Sequence, residues 1–247
     1  MSVPFFNFQQ IAAAVSILCF LASALTLFAS AFGVTALLVI RKRRWAAWLF
    51  ACMVLVVAFY GATLTGFSLA SREQVLAAGQ EKYFCEVDCH LAYSLLGVTT
   101  APRLGNSPHQ IAAHGTFYVV RVRTWFDERT ISPRRPKDAP LTRSPRNVLV
   151  VDDLGRRFEP SAEGQRALES AEGPQPSLSG PLIPGQSSTA DLVFDLSGDV
   201  KNPRLLIADS DWITHFLIGN ENSFSHAKTT FRLEPAAEAG QHAGKQL

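Results

Sequence analysis

The segment Cys85-Glu86-Val87-Asp88-Cys89-His90 gathers two thiols and an imidazole into one short stretch. Three chemistries suit those residue types. In an oxidising compartment a Cys pair is expected to close into a disulfide. A loop this small contributes only roughly 2 kcal/mol, so it would pin local geometry more than the whole fold. Two soft thiolates plus imidazole also suit Cu(I). His90 adjoins the pair, and His215 and His226 would be further donors if the two ends of a β-domain meet. The third chemistry is covalent haem, although haem c attachment uses C-x-x-C-H and this segment is one residue longer. A thiol oxidoreductase is disfavoured by the long spacing and by the acidic Glu86 and Asp88.

Which chemistry applies depends on the side of the membrane. Residues 1–40 carry no charged side chain, and 11–40 are overwhelmingly Ala, Leu, Val, Phe, Ser and Ile. Arg41, Lys42, Arg43 and Arg44 follow, and then Trp45–Ala70 is a second uncharged run. Runs of this length read as membrane-spanning helices, because an unpaired charge is costly in hydrocarbon. The first run is about twice the length of a signal-peptide core and nothing basic precedes it. Short loops rich in Lys and Arg stay cytoplasmic. The sequence therefore predicts a transmembrane hairpin over 1–71, with spans 11–40 and 45–70 and a cytoplasmic turn at 41–44. Both termini and everything beyond residue 71 then lie on the periplasmic or outer side of a bacterial cytoplasmic membrane. Ala58, Ala62 and Gly66 recur every four residues, which lets helices approach closely. They are expected to pack against the first span. Cys19 and Cys52 lie inside the spans and are expected to act as small apolar residues.

The net charge of +2 is dominated by that turn. It holds four of the 23 basic residues, so residues 45–247 carry 19 basic against 21 acidic side chains. That balance excludes a nucleic-acid binder or a polybasic lipid-binding surface by charge alone. About 160 residues, 72–233, are enough for one domain with a real core.

Strand signals dominate this part. Phe117–Phe126 is rich in β-branched and aromatic residues, with Val120, Val122 and Thr124 alternating against Arg121 and Arg123. Residues 147–151 and 157–158 flank Asp152-Asp153-Leu154-Gly155, a hairpin turn with Gly available for positive φ. Residues 188–196 alternate, and 204–208 and 229–233 are further strands. A short helix is compatible with 162–171. The basic, proline-rich stretch 129–146 reads as a solvated loop, as does 173–186, and 234–247 has the composition of a disordered tail. His109 and His114 read as ordinary polar loop residues, and Trp212–Ile218 as core.

Gly115-Thr116-Phe117-Tyr118-Val119-Val120-Arg121-Val122, the hairpin Val151–Ser161, and Pro184-Gly185-Gln186 leading into Asp191–Leu196 together resemble the telokin-like, immunoglobulin-like domains of unknown function on bacterial surface lipoproteins. The resemblance covers about 115–207, with a final strand near 231. It implies an all-β immunoglobulin-like sandwich over 115–233 and says little about function. Residues 72–114, with the Cys85/Cys89 pair, would then be a juxtamembrane segment. Two N-terminal helices followed by an outer β-domain with C-x3-C also look like subunit II of haem-copper oxidases. There the copper motif continues with His and Met, where this chain has Tyr93 and Leu96.

No phosphate-binding Gly-rich loop, G-x-S-x-G or H-E-x-x-H is present, and Asp209-Ser210-Asp211 lacks the ligand pattern of a calcium loop. The sequence therefore predicts a non-catalytic envelope module that contacts the lipid bilayer and another envelope or membrane protein, with no cofactor. The alternative is a copper-binding accessory or electron-transfer protein using Cys85, Cys89 and His90.

Overall fold

The computed structural model describes residues 8–85, 90–107, 110–132 and 135–235, with the side chains of 8–14 and of Cys85 left aside. The chain divides into two compact units. One comprises the N-terminal helices and Asp211–Lys228; the other comprises Gln74–Ser210 and the chain from Thr229 onward.

In the first unit, α1 (Phe8–Val39) and α2 (Arg43–Ala70) pack together as a hairpin. Both are long and apolar enough to cross a membrane: Val15–Val39 within α1 and all of α2. Their outward side chains are apolar and exposed, with Phe28, Phe32, Leu55 and Phe59 each more than two-thirds accessible. A helix that shows apolar side chains all round is suited to hydrocarbon rather than water. The turn closes as a Schellman motif. Lys42 N–H donates to Leu37 O (2.9 Å) and Arg41 N–H to Leu38 O (3.0 Å), with Arg41 left-handed at φ 59°. The helices approach closely at Gly33, where an added Cβ would stand 2.8 Å from Leu49 Cδ2. Ala58, Ala62 and Gly66 do not make that contact. They lie on the exposed face of α2, because Val56, Tyr60 and Thr63 turn toward α1 instead.

The second unit is a two-sheet β-sandwich. One sheet has β2 (Glu81–Cys85), β3 (His90–Leu104), β4 (Ile111–Asp127) and β7 (Ser187–Leu196), all antiparallel in that order. The other runs β1 (Gln74–Leu76), β9 (Thr229–Arg232), β8 (Arg204–Asp209), β5 (Arg146–Val151) and β6 (Arg157–Phe158). The β1–β9 pair is parallel, which makes this sheet mixed. The sandwich thus begins at Gln74, not at residue 115, and the expected juxtamembrane segment supplies three of its strands. Leu91, Tyr93, Leu95, Val120, Val122 and Phe194 from one sheet meet Val150, Leu205, Ile207 and Phe231 from the other.

The sandwich also carries a helix, α3 (Ala162–Glu172). Ser161 caps it by accepting from Gly164 N–H at 3.0 Å, and Gly173 ends it at φ 91°. Its buried Gly164, Ala167 and Leu168 cover the outer face of β4 and β7, over Phe117 and Val193. Gly164 is required there, because an added Cβ would stand 2.5 Å from Val193 Cγ1. The Asp152–Gly155 turn forms as expected: Asp152 accepts from Leu154 N–H and Arg156 N–H (3.0 and 2.9 Å), and Gly155 takes φ 74°.

Two further expectations fail. Arg143 and Arg146 of the basic loop are buried rather than solvated. Arg143 donates to Gly180 O and Ser177 O, while Arg146 pairs with Asp209 and lies 4.3 Å over the Phe84 ring. Trp212 and Phe216 are exposed, not core. The expected disordered tail lies outside the described residues from 236 onward.

Candidate functional site

The thiol segment is a β2–β3 connection. Cys85 pairs in register with His90 across the hairpin, and His90 with Asp127 on β4. Residues Glu86–Cys89 lie outside the described residues, and with them the pairing of the two thiols. His90 is buried, 6% exposed. Its N–H donates to Thr130 Oγ1 (2.9 Å), and its ring stands edge-on to Tyr83, 6.4 Å between centroids. Burial holds its pKa below the ordinary histidine value, opposed by the neighbouring Asp127 carboxylate. The ring is therefore neutral near neutral pH, the form that binds metal.

Asp127 shows the opposite balance. Burial alone would raise its pKa, but Arg129 overrides it: backbone N–H (3.0 Å), Nε (2.9 Å) and Nη2 (2.9 Å) all donate to the carboxylate, and the net shift is downward. Tyr83 donates to Glu81 at 2.7 Å, and its pKa is pushed up to about 12 by burial and by that carboxylate. Among the described residues no three His, Cys, Asp or Glu side chains gather as a metal cluster. His215 and His226 belong to the other compact unit. The His215 ring packs edge-on against Phe224, and His226 Nδ1 lies 2.7 Å from the Ala227 carbonyl.

A second region was not anticipated. A groove of about 500 Å³ opens where α3 meets β4 and β7, with Phe117 and Phe158 among its walls. Asp195 Oδ2 accepts from His114 N–H (2.8 Å) and lies 3.0 Å from His114 Nδ1, and Oδ1 accepts from Gly115 N–H (3.0 Å). Burial would raise the Asp195 pKa, but those backbone donors and the imidazole outweigh it and leave it low. Glu159 and Glu163 add two more carboxylates to the lining, which contains no Lys or Arg. The nearby hydroxyls are engaged: Ser161 caps α3, and Ser197 Oγ donates to Asp199 at 2.6 Å. The arrangement is suited to holding a cationic or polar group rather than to nucleophilic attack. His114 and Asp195 stand 81 positions apart in the chain, so no spacing rule joins them.

A third polar feature lies inside the sandwich. Lys82 Nζ reaches from β2 across to the opposite sheet and donates to Ile207 O (2.7 Å) and Thr229 O (2.9 Å). The ammonium also lies 5.1 Å over the Phe84 ring, so a long cationic side chain joins the two layers.

No family model matches the chain, and no curated protein sequence does. Several solved structures are similar in fold. One is the secreted protein MPT63 of Mycobacterium tuberculosis, 11% identical with a TM-score of 0.39, covering 67% of this chain and all of that one. Another is the yjhA protein of Bacillus subtilis, 13% identical with a TM-score of 0.38, over 64% of this chain and 98% of that one. A third is an uncharacterised β-sandwich protein of Clostridium difficile, 6% identical with a TM-score of 0.35, over 66% of this chain and 97% of that one.

Proposed function

We propose that this chain is a membrane-anchored, non-catalytic binding module of the bacterial envelope, with α1 and α2 as its anchor and an immunoglobulin-like sandwich on the outer side. The observation that carries this reading is the pair of long helices with exposed apolar faces, joined at the basic Arg41–Arg44 turn. Hydrocarbon satisfies such faces, and the basic turn stays inside. The recognition surface in this reading is the groove of His114, Glu159, Glu163 and Asp195, which suits a basic side chain of another envelope protein. Reporter fusions at the C-terminus test the topology. Active alkaline phosphatase with dark green fluorescent protein is expected, and the reverse pattern overturns the reading. A double change, Glu159→Lys with Glu163→Lys, should abolish site-specific crosslinking from the groove to a partner while leaving membrane insertion intact.

A second reading, copper binding, is favoured by the neutral, buried His90 facing Cys85 in register. Metal analysis of purified protein decides it. Stoichiometric copper lost in Cys85→Ser supports copper; two blocked thiols without metal remove it.

A further inference from the structure

Residues Asp211–Lys228, between β8 and β9, fold with the helices rather than with the sandwich that supplies both flanking strands. The segment braces itself. Asp211 accepts from Ile213 N–H (3.1 Å), Asn222 Nδ2 donates to Thr214 Oγ1 (2.8 Å), and Ser223 Oγ donates to Leu217 O (2.5 Å). It is tied to α2 at two points: Tyr60 Oη donates to Phe216 O at 2.6 Å, and Ala227 N–H donates to Ser71 Oγ at 2.8 Å. Ile218 lines the same groove as Cys19 and Ala22 of α1 and Leu55 and Phe59 of α2.

The attachment point sets a depth. At 1.5 Å per residue α2 is about 42 Å long, and the hydrocarbon layer is about 30 Å thick. With Arg43 and Arg44 at head-group level, hydrocarbon ends about twenty residues on, near Thr65. Tyr60 falls about 7 Å short of that boundary. The backbone it holds therefore lies at the edge of the acyl layer, not out in water. Trp212 (69% exposed), Phe224 (57%), Phe216 (37%) and Ile213 (37%) project from this segment. Trp212 stands edge-to-face to Phe216 at 5.8 Å, and Phe216 to Phe224 at 5.7 Å. Asp211, Asn220, Glu221 and Lys228 share the same short stretch. Aromatics interleaved with polar groups, on backbone folded into successive turns (Asn220 N–H to Leu217 O, 3.1 Å; Ser223 N–H to Asn220 O, 3.0 Å; His226 N–H to Ser223 O, 3.1 Å), are what the head-group region accommodates.

We infer that Asp211–Lys228 is an interfacial wedge, embedding Trp212, Phe216 and Phe224 in the leaflet at the C-terminal end of α2. This rests on the anchored reading of α1 and α2. The test uses the full chain in nanodiscs of phosphatidylcholine brominated either near the glycerol or near the acyl terminus. The tryptophans are separated by Phe substitution in a Trp125→Phe background, leaving Trp212 alone or Trp45 with Trp48. Trp212 emission is expected to fall at least twofold with bromine near the glycerol and less with bromine near the chain end. In the otherwise native chain, Trp212→Phe should remove the same shallow-quenched component. If Trp45 and Trp48 are quenched and Trp212 is not, whether it faces water or another protein, the wedge is overturned and the anchor stands. If neither set is quenched, the anchor reading fails and the wedge with it.

Discussion

Gly164→Ala opposes helix propensity to packing at one site. In an exposed helix interior, Ala is favoured over Gly by about 1 kcal/mol. Here the added methyl would stand 2.5 Å from Val193 Cγ1 and 3.1 Å from Phe117 Cε1, both on fully covered side chains. Val193 is fully covered, packed with Phe117 of β4 and Leu168 of α3. Overpacking of this kind costs typically about 1–3 kcal/mol. The propensity gain offsets about 1 kcal/mol of that, leaving a net destabilisation of up to about 2 kcal/mol. For a domain of this size that lowers Tm by up to about 6 °C. Thermal unfolding of the full chain in detergent micelles, followed by circular dichroism at the β-sheet band, measures it. Gly198→Ala is the control: its Cβ meets nothing within 4 Å, and a change within about 0.5 kcal/mol is expected. A Gly164→Ala protein more stable than the parent, as helix propensity alone would give, refutes the view that α3 is held tight on the sheet through this glycine.

Gly115→Ala should be more damaging, because its Cβ would stand 2.1 Å from the Leu196 carbonyl oxygen, backbone that cannot rotate away. The same melting experiment should show a larger drop than for Gly164→Ala. His90 supplies a pH dependence. Its folded pKa lies below the unfolded value of 6.5, so the unfolded chain binds the proton more readily. Stability is therefore full above the unfolded pKa and falls as pH drops through and below 6.5. His90→Gln should flatten denaturant midpoints between pH 7 and 5, and an unchanged slope argues against a buried neutral ring. Asp127 and Asp195 also have folded pKa values below their unfolded ones, so their contribution is present above the ordinary carboxylate range and lost as pH falls through the folded values. Asp195→Asn should lessen acid sensitivity there while lowering stability at neutral pH. Arg41→Gly should raise thermal stability of the helical hairpin slightly, by about 1 kcal/mol, because Arg41 occupies the left-handed position that glycine adopts without strain.

Much of this architecture was legible in the chain. The strand signal at 117–126 and at 188–196 followed from alternation, whereas the strands at 147–151 and 204–208 form within a residue of the bounds expected without any alternation to mark them. The two apolar helices followed from uninterrupted hydropathy. The strands at 74–104 were not legible. Residues 90–95 are buried on both faces, so His90-Leu91-Ala92-Tyr93-Ser94-Leu95 carries no period of two. Arg143 and Arg146 misled in the opposite direction: their charge suggested solvent, whereas carbonyls, Asp209 and an aromatic ring satisfy them inside. The small-residue stripe on α2 marked a surface with no neighbour in the hairpin, since close approach is made at Gly33 instead. Trp212 and Phe216 were apolar enough for a core, and only the Tyr60 contact revealed where they lie. The groove was hidden because His114 and Asp195 meet through the β4–β7 register, which composition does not encode.

The parallel pairing of β1 with β9 has a mechanical consequence. β1 is the first strand after the helices, and β9 is the last strand among the described residues. Because they run in the same direction, a pull between the helices and the C-terminus acts on opposite ends of one ladder. Gln74–Thr229, Val75–Thr230 and Leu76–Phe231 are then loaded together in shear, whereas an antiparallel neighbour would be peeled apart pair by pair. A force applied between the helices and the C-terminus is therefore resisted by all three pairs at once rather than one at a time.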